Sequence, residues 1–409
     1  MDNNPFDFVK DVEVDAILKC AREYNADPST KKINLSIGVC CNEDGTLHIF
    51  PSVLEAEKII IKKYKEKPYM LPNNSADFCK KTQELIFGND SKYMRDDKIC
   101  TIQTIGGTGA IFIILELLKI NEKIKKIYVT DIPYINHVNM IKSRGFELKY
   151  LRFFDSNILD INYTNFLKDL EEIENNSAII LQVSCYNPCS LDIKKEYFNN
   201  IADIVIKKNH LIVFDIAYQG FGSTDLNEDV ALIRFFQDKN INFVVCQSFS
   251  KNMSLYGERG GALHIIGKDI EQKQKIHNNL CYIIRKFYSS PCIYTHRLIC
   301  EVLLNEELKK IWIDDLKQLC IRIGNNRTLF FEKLNTYQKK FNLKYNWDVY
   351  KKQKGIFSFV PIFAKIHEQL KQKKHIYIIM NGRINISSIT KNNVDYIAES
   401  ICECLRDML

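Results

Sequence analysis

No long hydrophobic run interrupts this sequence. Its longest apolar stretch, Ala110 to Ile120, is broken by Glu116 and falls short of the ~20 residues a membrane-spanning helix needs. There is no internal repeat and no low-complexity tract, which excludes collagen-like and disordered chains. Clustered positive charge is also missing. Fifty-seven Lys and Arg stand against 50 Asp and Glu, a net +7, and lysine runs are as short as Lys62-Lys63 and Lys351-Lys352. A nucleic-acid reader concentrates its basic residues, so neither nucleic acid nor membrane is an expected partner. The excess reads as solubility, or as mild attraction to anionic metabolites. The 14 cysteines include no CxxC pair, and no His lies at zinc-ligand spacing from a pair, so no metal site is expected. Met1 to Pro5 carries no positive stretch ahead of an apolar one. The expected setting is the cytoplasm, with free thiols.

What is present is ordinary for a globular chain: 409 residues, 46% hydrophobic and 26% charged, a size that suggests two or three domains. The first half alternates short apolar, β-branched runs with helical patterns. Lys126–Thr130, Lys149–Phe154, Ala178–Ser184, His210–Asp215, Phe243–Ser248 and Gly261–Ile266 read as strands buried on both faces. Between them, Ile111, Ile114, Leu115 and Leu118 mark a helix. This alternation predicts an α/β fold: a large domain with a mostly parallel sheet flanked by helices. A long helix is expected from Glu301 to Lys339. Beyond it, strands at Gly355–Val360 and His375–Met380 and a helix at Asn392–Leu409 predict a small α+β domain. The first ~50 residues, extended around Ile33 to Leu35, fit either domain on pattern alone.

In open α/β sheets ligands bind beyond the carboxyl ends of strands, and three groups stand at such ends. Gly106-Gly107-Thr108-Gly109 follows a strand candidate and opens a helix, as an anion cradle does. It matches neither the Walker A nor the GxGxxG pattern, and taken alone it reads equally well as a packing turn. Asp215 ends an apolar strand, with Tyr218 three residues on. Ser248-Phe249-Ser250-Lys251 ends another, with Arg259 eight residues beyond the lysine. Two hydroxyls and a guanidinium are good phosphate ligands. A lysine packed beside an arginine can have a depressed pKa, and only a neutral amine attacks a carbonyl.

Cradle, acid and lysine in this order are what a pyridoxal-phosphate enzyme needs. Ser248-Phe249-Ser250-Lys251-Asn252 with Tyr256 and Arg259 resembles the lysine signature of the aspartate aminotransferase family, of fold type I. The likeness runs along almost the whole chain. It passes through Asn34 to Val39, Pro51-Ser52-Val53, Tyr69, Gly107 to Ala110, Asn136-His137, Asn187-Pro188 and Phe214 to Phe221. It continues through Ile284-Arg285, Tyr288 to Pro291, Gly355 to Phe359 and Asn381 to Asn385.

The resemblance implies a fold and a division of labour. The large pyridoxal-phosphate domain would span 49–317, and both chain ends, 1–48 with 318–409, would form the small domain. Lys251 would bond the cofactor aldehyde and shuttle the substrate proton. Asp215 would hold the pyridine nitrogen protonated, supported by His137. Asn187 and Tyr218 would meet the phenolic oxygen. Gly106, Gly107, Thr108, Ser248, Ser250 and Arg259 would lie around the phosphate, which Tyr69 would reach from the partner subunit of a homodimer. Arg383 would bind the substrate α-carboxylate, Arg285 the distal carboxylate across the interface, and Gly38 would offer a backbone contact. The apolar residues of the N-terminal segment, Phe6, Phe8, Val9 and Val12, would pack on the neighbouring subunit. The implied reaction is ping-pong amino transfer between L-aspartate and 2-oxoglutarate, giving oxaloacetate and L-glutamate. Rival readings are a broader dicarboxylic or aromatic aminotransferase, a pyridoxal lyase, or a non-catalytic binding protein. Several positions depart from the family pattern. Tyr134 stands where the ring-stacking residue is usually tryptophan, and Gly106 where serine is usual. Asn187-Pro188-Cys189-Ser190 replaces Asn-Pro-Thr-Gly, Gly260-Gly261 follows Arg259 without the usual valine, and Tyr69 to Asn73 follows its segment only loosely.

Overall fold

The computed structural model describes residues 4–11, 15–71 and 75–408. Its centre is a seven-stranded sheet of β1 (Ile99–Ile105), β2 (Lys126–Thr130), β3 (Glu147–Leu151), β4 (Ala178–Gln182), β5 (Leu211–Ile216), β6 (Val244–Ser248) and β7 (Gly260–Ile266). The spatial order is β1-β7-β6-β5-β4-β2-β3. β7 runs antiparallel to both its neighbours, and the remaining pairs are parallel. Six strands therefore end at one edge of the sheet, and β7 starts there. β4, β6 and β7 are buried throughout, which is why they read as continuous apolar runs rather than alternating ones.

Alternation survives in which core each residue joins. Ile179 and Leu181 pack with Phe166, Leu170, Ile201 and Val205 from the helices Tyr163–Glu172 and Phe198–Lys208. Ala178 and Ile180 turn to the opposite face, toward Ile111, Ile114 and Leu115 of the helix Gly106–Leu118. Successive strand residues point to opposite faces, so one strand serves two helical layers.

The two chain ends meet in a smaller layer. Ile33–Asn34 pairs in parallel with Ile376–Tyr377, and Phe357–Phe359 pairs antiparallel with Arg383–Asn385. The Asn385 N–H donates to Leu35 O at 2.7 Å, and its side-chain amide donates to Ile37 O and Val39 O. A 35-residue helix, Glu306–Lys340, carries the helix Val394–Arg406 against it and leads into this layer.

Several expected elements are redrawn. The helix expected from Glu301 to Lys339 is two helices, Ile293–Leu304 and Glu306–Lys340, because Asn305 is extended and its side chain caps the second through the N–H groups of Glu307 and Leu308. The strand expected over Lys149–Phe154 is β3, Glu147–Leu151. Asp131 Oδ1 accepts the N–H groups of Phe153 and Phe154 and takes the chain out of the sheet. Phe154–Asp155 then pairs with Asp160–Ile161. The strands at Gly355–Val360 and His375–Met380 shorten to Phe357–Phe359 and Ile376–Tyr377, and the last helix to Val394–Arg406. The N-terminal region contains a helix, Ala16–Ala26, capped by Asp15. Val12, Pro72 and Asn73 lie outside the described residues. No helix among the described residues is long and apolar enough to cross a membrane.

Candidate active site

The site assembles at the edge where the strands end. Gln182 closes β4, Asp215 lies one residue from the end of β5, Ser248 closes β6, and the turn after it holds Ser250 and Lys251. Sheet register sets Gln182 opposite Asp215, and Gly260 of β7 opposite Ile105 of β1. Together with Gly38, Phe357 and Arg383 from the smaller layer, these segments enclose a cavity of about 230 Å³.

One end of the cavity is built for an anion. The helix Gly106–Leu118 begins there, and its N-cap, Ile105, provides no side-chain hydrogen bond, so the first-turn N–H groups remain available. Ser248 Oγ donates to Ser250 Oγ at 3.2 Å and accepts the Ser250 N–H at 3.3 Å. Arg259 Nη1 donates to Ser250 Oγ at 3.2 Å and to Tyr256 O at 3.0 Å. Gly106 has φ of +74°, and a Cβ built on it would stand 2.4 Å from Arg259 Nη2. Glycine at this position admits the arginine. A side chain there would require the guanidinium, the far end of a flexible side chain, to shift from this position.

The middle of the cavity holds the acid and the amine. Asp215 is buried, and its Oδ2 lies 2.9 Å from Nε2 of buried His137. Oδ1 has no protein partner among the described residues. Lys251 is half-buried, with Nζ 5.3 Å from the centre of the Tyr218 ring. Desolvation pushes its ammonium below the ordinary lysine pKa. Arg259 and Arg383 push the same way, and Asp215 opposes them. Burial raises the Tyr218 phenol well above its usual range. Tyr134 packs edge-on to His137, centroids 5.3 Å apart at 83°, and lines the same space.

The far wall holds Arg383, which is 5% exposed. Nη1 donates to Asn187 Oδ1 and Nη2 to Ser36 O, both at 3.0 Å, and the guanidinium carbon lies 4.0 Å from the Phe357 ring centre. Nε is buried without a partner. No carboxylate among the described residues comes within ion-pair distance of it. Asn187 precedes a cis peptide bond to Pro188, and Gln182 grips its backbone on both sides, at 2.9 Å to N and 2.9 Å to O.

Gly38, Gly107, Thr108, Tyr134, Asn187, Asp215, Tyr218, Ser248, Ser250, Lys251, Arg259 and Arg383 thus come together around one space, with Gly106 and His137 directly behind. Tyr69 and Arg285 do not line it. Tyr69 is 93% exposed, and Arg285 is an exposed residue donating to Ser289 Oγ. Gln182, Tyr256 and Phe357 line the cavity although sequence reasoning gave them no role. The one signal for Gln182 was an amide closing an otherwise apolar strand. Cys185 and Cys189, beside Asn187, are buried, and desolvation pushes both thiols up, Cys189 to about 12. They are not poised as nucleophiles.

An anion cradle, a buried carboxylate with one free oxygen and an amine of lowered pKa fit pyridoxal phosphate. The comparisons with known proteins agree. Residues 30–401 match the model for aminotransferase class I and II. The chain is 31% identical to a mitochondrial aspartate aminotransferase of Gallus gallus over 95% of this chain and 91% of that protein. The solved aspartate aminotransferase of Plasmodium falciparum is 63% identical, with a TM-score of 0.97, over 99% of this chain and 100% of that one. An aromatic-amino-acid aminotransferase of Burkholderia pseudomallei, covalently bound to pyridoxal phosphate, is 29% identical, with a TM-score of 0.93, over 98% and 100%. The chain belongs to the class I and II aminotransferases, pyridoxal-phosphate-dependent transaminases.

Proposed function

We propose that the enzyme interconverts L-aspartate and 2-oxoglutarate with oxaloacetate and L-glutamate by a ping-pong mechanism. The observation that carries this is Arg383, a buried guanidinium whose Nε lacks a partner and which no carboxylate among the described residues meets within ion-pair distance. Leaving such a cation unpaired is costly, and the α-carboxylate of an amino acid satisfies it bidentately. Pyridoxal phosphate, when bound, supplies the electron sink for the bond broken at the substrate Cα.

The chain's own groups do the rest. Lys251 Nζ, its basicity trimmed by burial, takes the proton from Cα and returns it to the product side. Asp215 Oδ1 would hold a proton on the cofactor's ring nitrogen, with His137, 2.9 Å from Oδ2, keeping the carboxylate turned that way. Asn187 and Tyr218 would donate to the cofactor's phenolic oxygen. Gly107, Thr108, Ser248, Ser250 and Arg259 would hold the phosphate, Tyr134 would cover a ring face, and Gly38 would contribute a backbone contact to substrate. We assign exposed Tyr69 and Arg285 to the neighbouring cavity of a homodimer, Tyr69 to the phosphate and Arg285 to the distal carboxylate. Exposure of Phe6, Phe8 and Val9 supports a second copy covering them. Pairing of both chain ends supports a small domain of 1–48 with 318–409 beside a large domain of 49–317. We place the enzyme in the cytoplasm, supported by free thiols such as those of Cys20, Cys185 and Cys402.

A second reading, a broader enzyme that also accepts aromatic amino acids, has one observation in its favour. Beside Arg383 and Tyr134 a vestibule of about 440 Å³ opens, lined by the apolar Ile17, Pro133, Ile135 and Met380 together with Asp15 and Asn139. Comparing kcat/KM for aspartate and phenylalanine in the wild type separates the two, and the same comparison in Arg285→Ala tests the arginine. Loss of roughly a hundredfold for aspartate, with phenylalanine little changed, supports a distal-carboxylate role for Arg285. Equal loss for both contradicts it.

A further inference from the structure

We propose that Gln182 is a positioning residue for the reaction, acting through Asn187. Gln182 ends β4 directly opposite Asp215, is 4% exposed and lines the cavity. Its side-chain amide pairs with a backbone five residues on. Nε2 donates to Asn187 O, and Oε1 accepts the Asn187 N–H, both at 2.9 Å. A primary amide meeting both polar groups of one residue fixes that residue in position and in rotation, as a strand neighbour would.

Asn187 needs such a clamp because it sits in a loop with no regular pairing of its own. Cys185 and Ser190 both have positive φ. The other ties hold the loop's rims: Asp192 Oδ1 accepts the Cys185 N–H at 2.6 Å, and the Lys354 N–H donates to Ser190 O at 2.8 Å. The turn is also closed around the tip by the Tyr186 N–H donating to Leu191 O at 3.2 Å and the Ser190 N–H to Tyr186 O at 2.5 Å, but it is Gln182 that meets the backbone of Asn187 itself. With the backbone fixed, Asn187 Oδ1 accepts from Arg383 Nη1 at 3.0 Å. That single acceptance decides the rotamer of the amide and leaves Nδ2 without a protein partner among the described residues, free to donate into the cavity. Gln182 therefore sets two things through one residue: the orientation of the carboxylate-reading arginine and the direction of an N–H donor toward the cofactor. Among the described residues no other group bonds the N–H or the carbonyl of Asn187.

This rests on the proposed contact of Asn187 with the cofactor's phenolic oxygen, and the test keeps the two apart. A donor at that oxygen lowers the pH midpoint at which the holoenzyme's visible absorption band titrates, since the ionised oxygen is stabilised. The experiment measures this midpoint, the KM for aspartate and the melting temperature for Gln182→Met, Gln182→Glu and Asn187→Ala. In Gln182→Met both contacts are lost, so the midpoint should rise by about one unit, the order expected for a lost hydrogen bond to a charged group, and KM should rise with it. Gln182→Glu keeps the acceptor for the Asn187 N–H and should fall between wild type and Gln182→Met, even if the methionine variant proves too unstable to assay. A raised midpoint in Asn187→Ala with wild-type midpoints and KM in both folded Gln182 variants overturns the proposal and leaves the Asn187 reading intact. An unmoved midpoint in Asn187→Ala overturns that reading itself.

Discussion

At the scale of single residues, what a position excludes matters as much as what it offers. Gly106 looks in the sequence like a lost phosphate donor, because the family's usual serine is missing. In the structure its missing Cβ is the space that Arg259 fills, 2.4 Å from where that atom would be. Its φ of +74° also disfavours any other residue, by about 1–2 kcal/mol. Gly106→Ala is therefore predicted to weaken pyridoxal-phosphate binding by roughly tenfold or more, since a charge-assisted hydrogen bond is worth about 1.5–3 kcal/mol. Titrating the cofactor into the apoenzyme checks this, and an unchanged dissociation constant contradicts it. The cavity residues with a chemical signature were legible beforehand. Asp215, Ser248 and Lys251 each interrupt an apolar run where a strand ends. Gln182 carries the same mark, an amide closing an apolar strand, but its pairing with a backbone five residues on leaves no trace in the sequence. Tyr69 and Arg285 were readable only by likeness to a family, since within one chain they touch nothing in the cavity.

At the scale of elements, sequence patterns located strands better than their ends. Burial on both faces makes β4, β6 and β7 unmistakable apolar runs. Ends are set by single polar contacts that periodicity does not register, such as Asp131 taking the N–H groups of Phe153 and Phe154 or Asn305 starting a new helix. The N-terminal helix shows a further case. Past its last residue, Asp27 accepts the Ser29 N–H at 2.8 Å, and its Oδ2 binds His375 Nδ1 and Tyr377 Oη, each at 2.8 Å. The clamp fastens Ala16–Ala26 to the Ile376–Tyr377 strand. These contacts, the Ser29 N–H foremost, hold the carboxyl down at about 2, against 3.8 for the free group. A depressed carboxyl pKa gives stability that is complete above the unfolded value and fades as pH falls through the folded one. Asp27→Asn should therefore melt below wild type at neutral pH, with the gap closing between about pH 4 and 2. Thermal melts across that range check it, and a gap that stays constant contradicts it.

At the scale of the whole molecule, charge is placed where the sequence total hides it. The net +7 is small, yet Lys251, Arg259 and Arg383 converge on one cavity in which Asp215 is the only carboxylate among the described lining residues. That imbalance suits a phosphate and an amino-acid carboxylate arriving together. The fold brings it about by ending six strands at one edge and closing the edge with both chain ends. The central claim is that this cavity moves an amino group from aspartate in two separate halves. The most direct measurement adds L-aspartate to the purified holoenzyme with no keto acid present and assays oxaloacetate. Release of about one equivalent per active site is expected, the limit set by a single loading of amino group on each, together with loss of the cofactor's original visible band, and neither change in Lys251→Ala. No oxaloacetate until 2-oxoglutarate is added, or full release from Lys251→Ala, would contradict it.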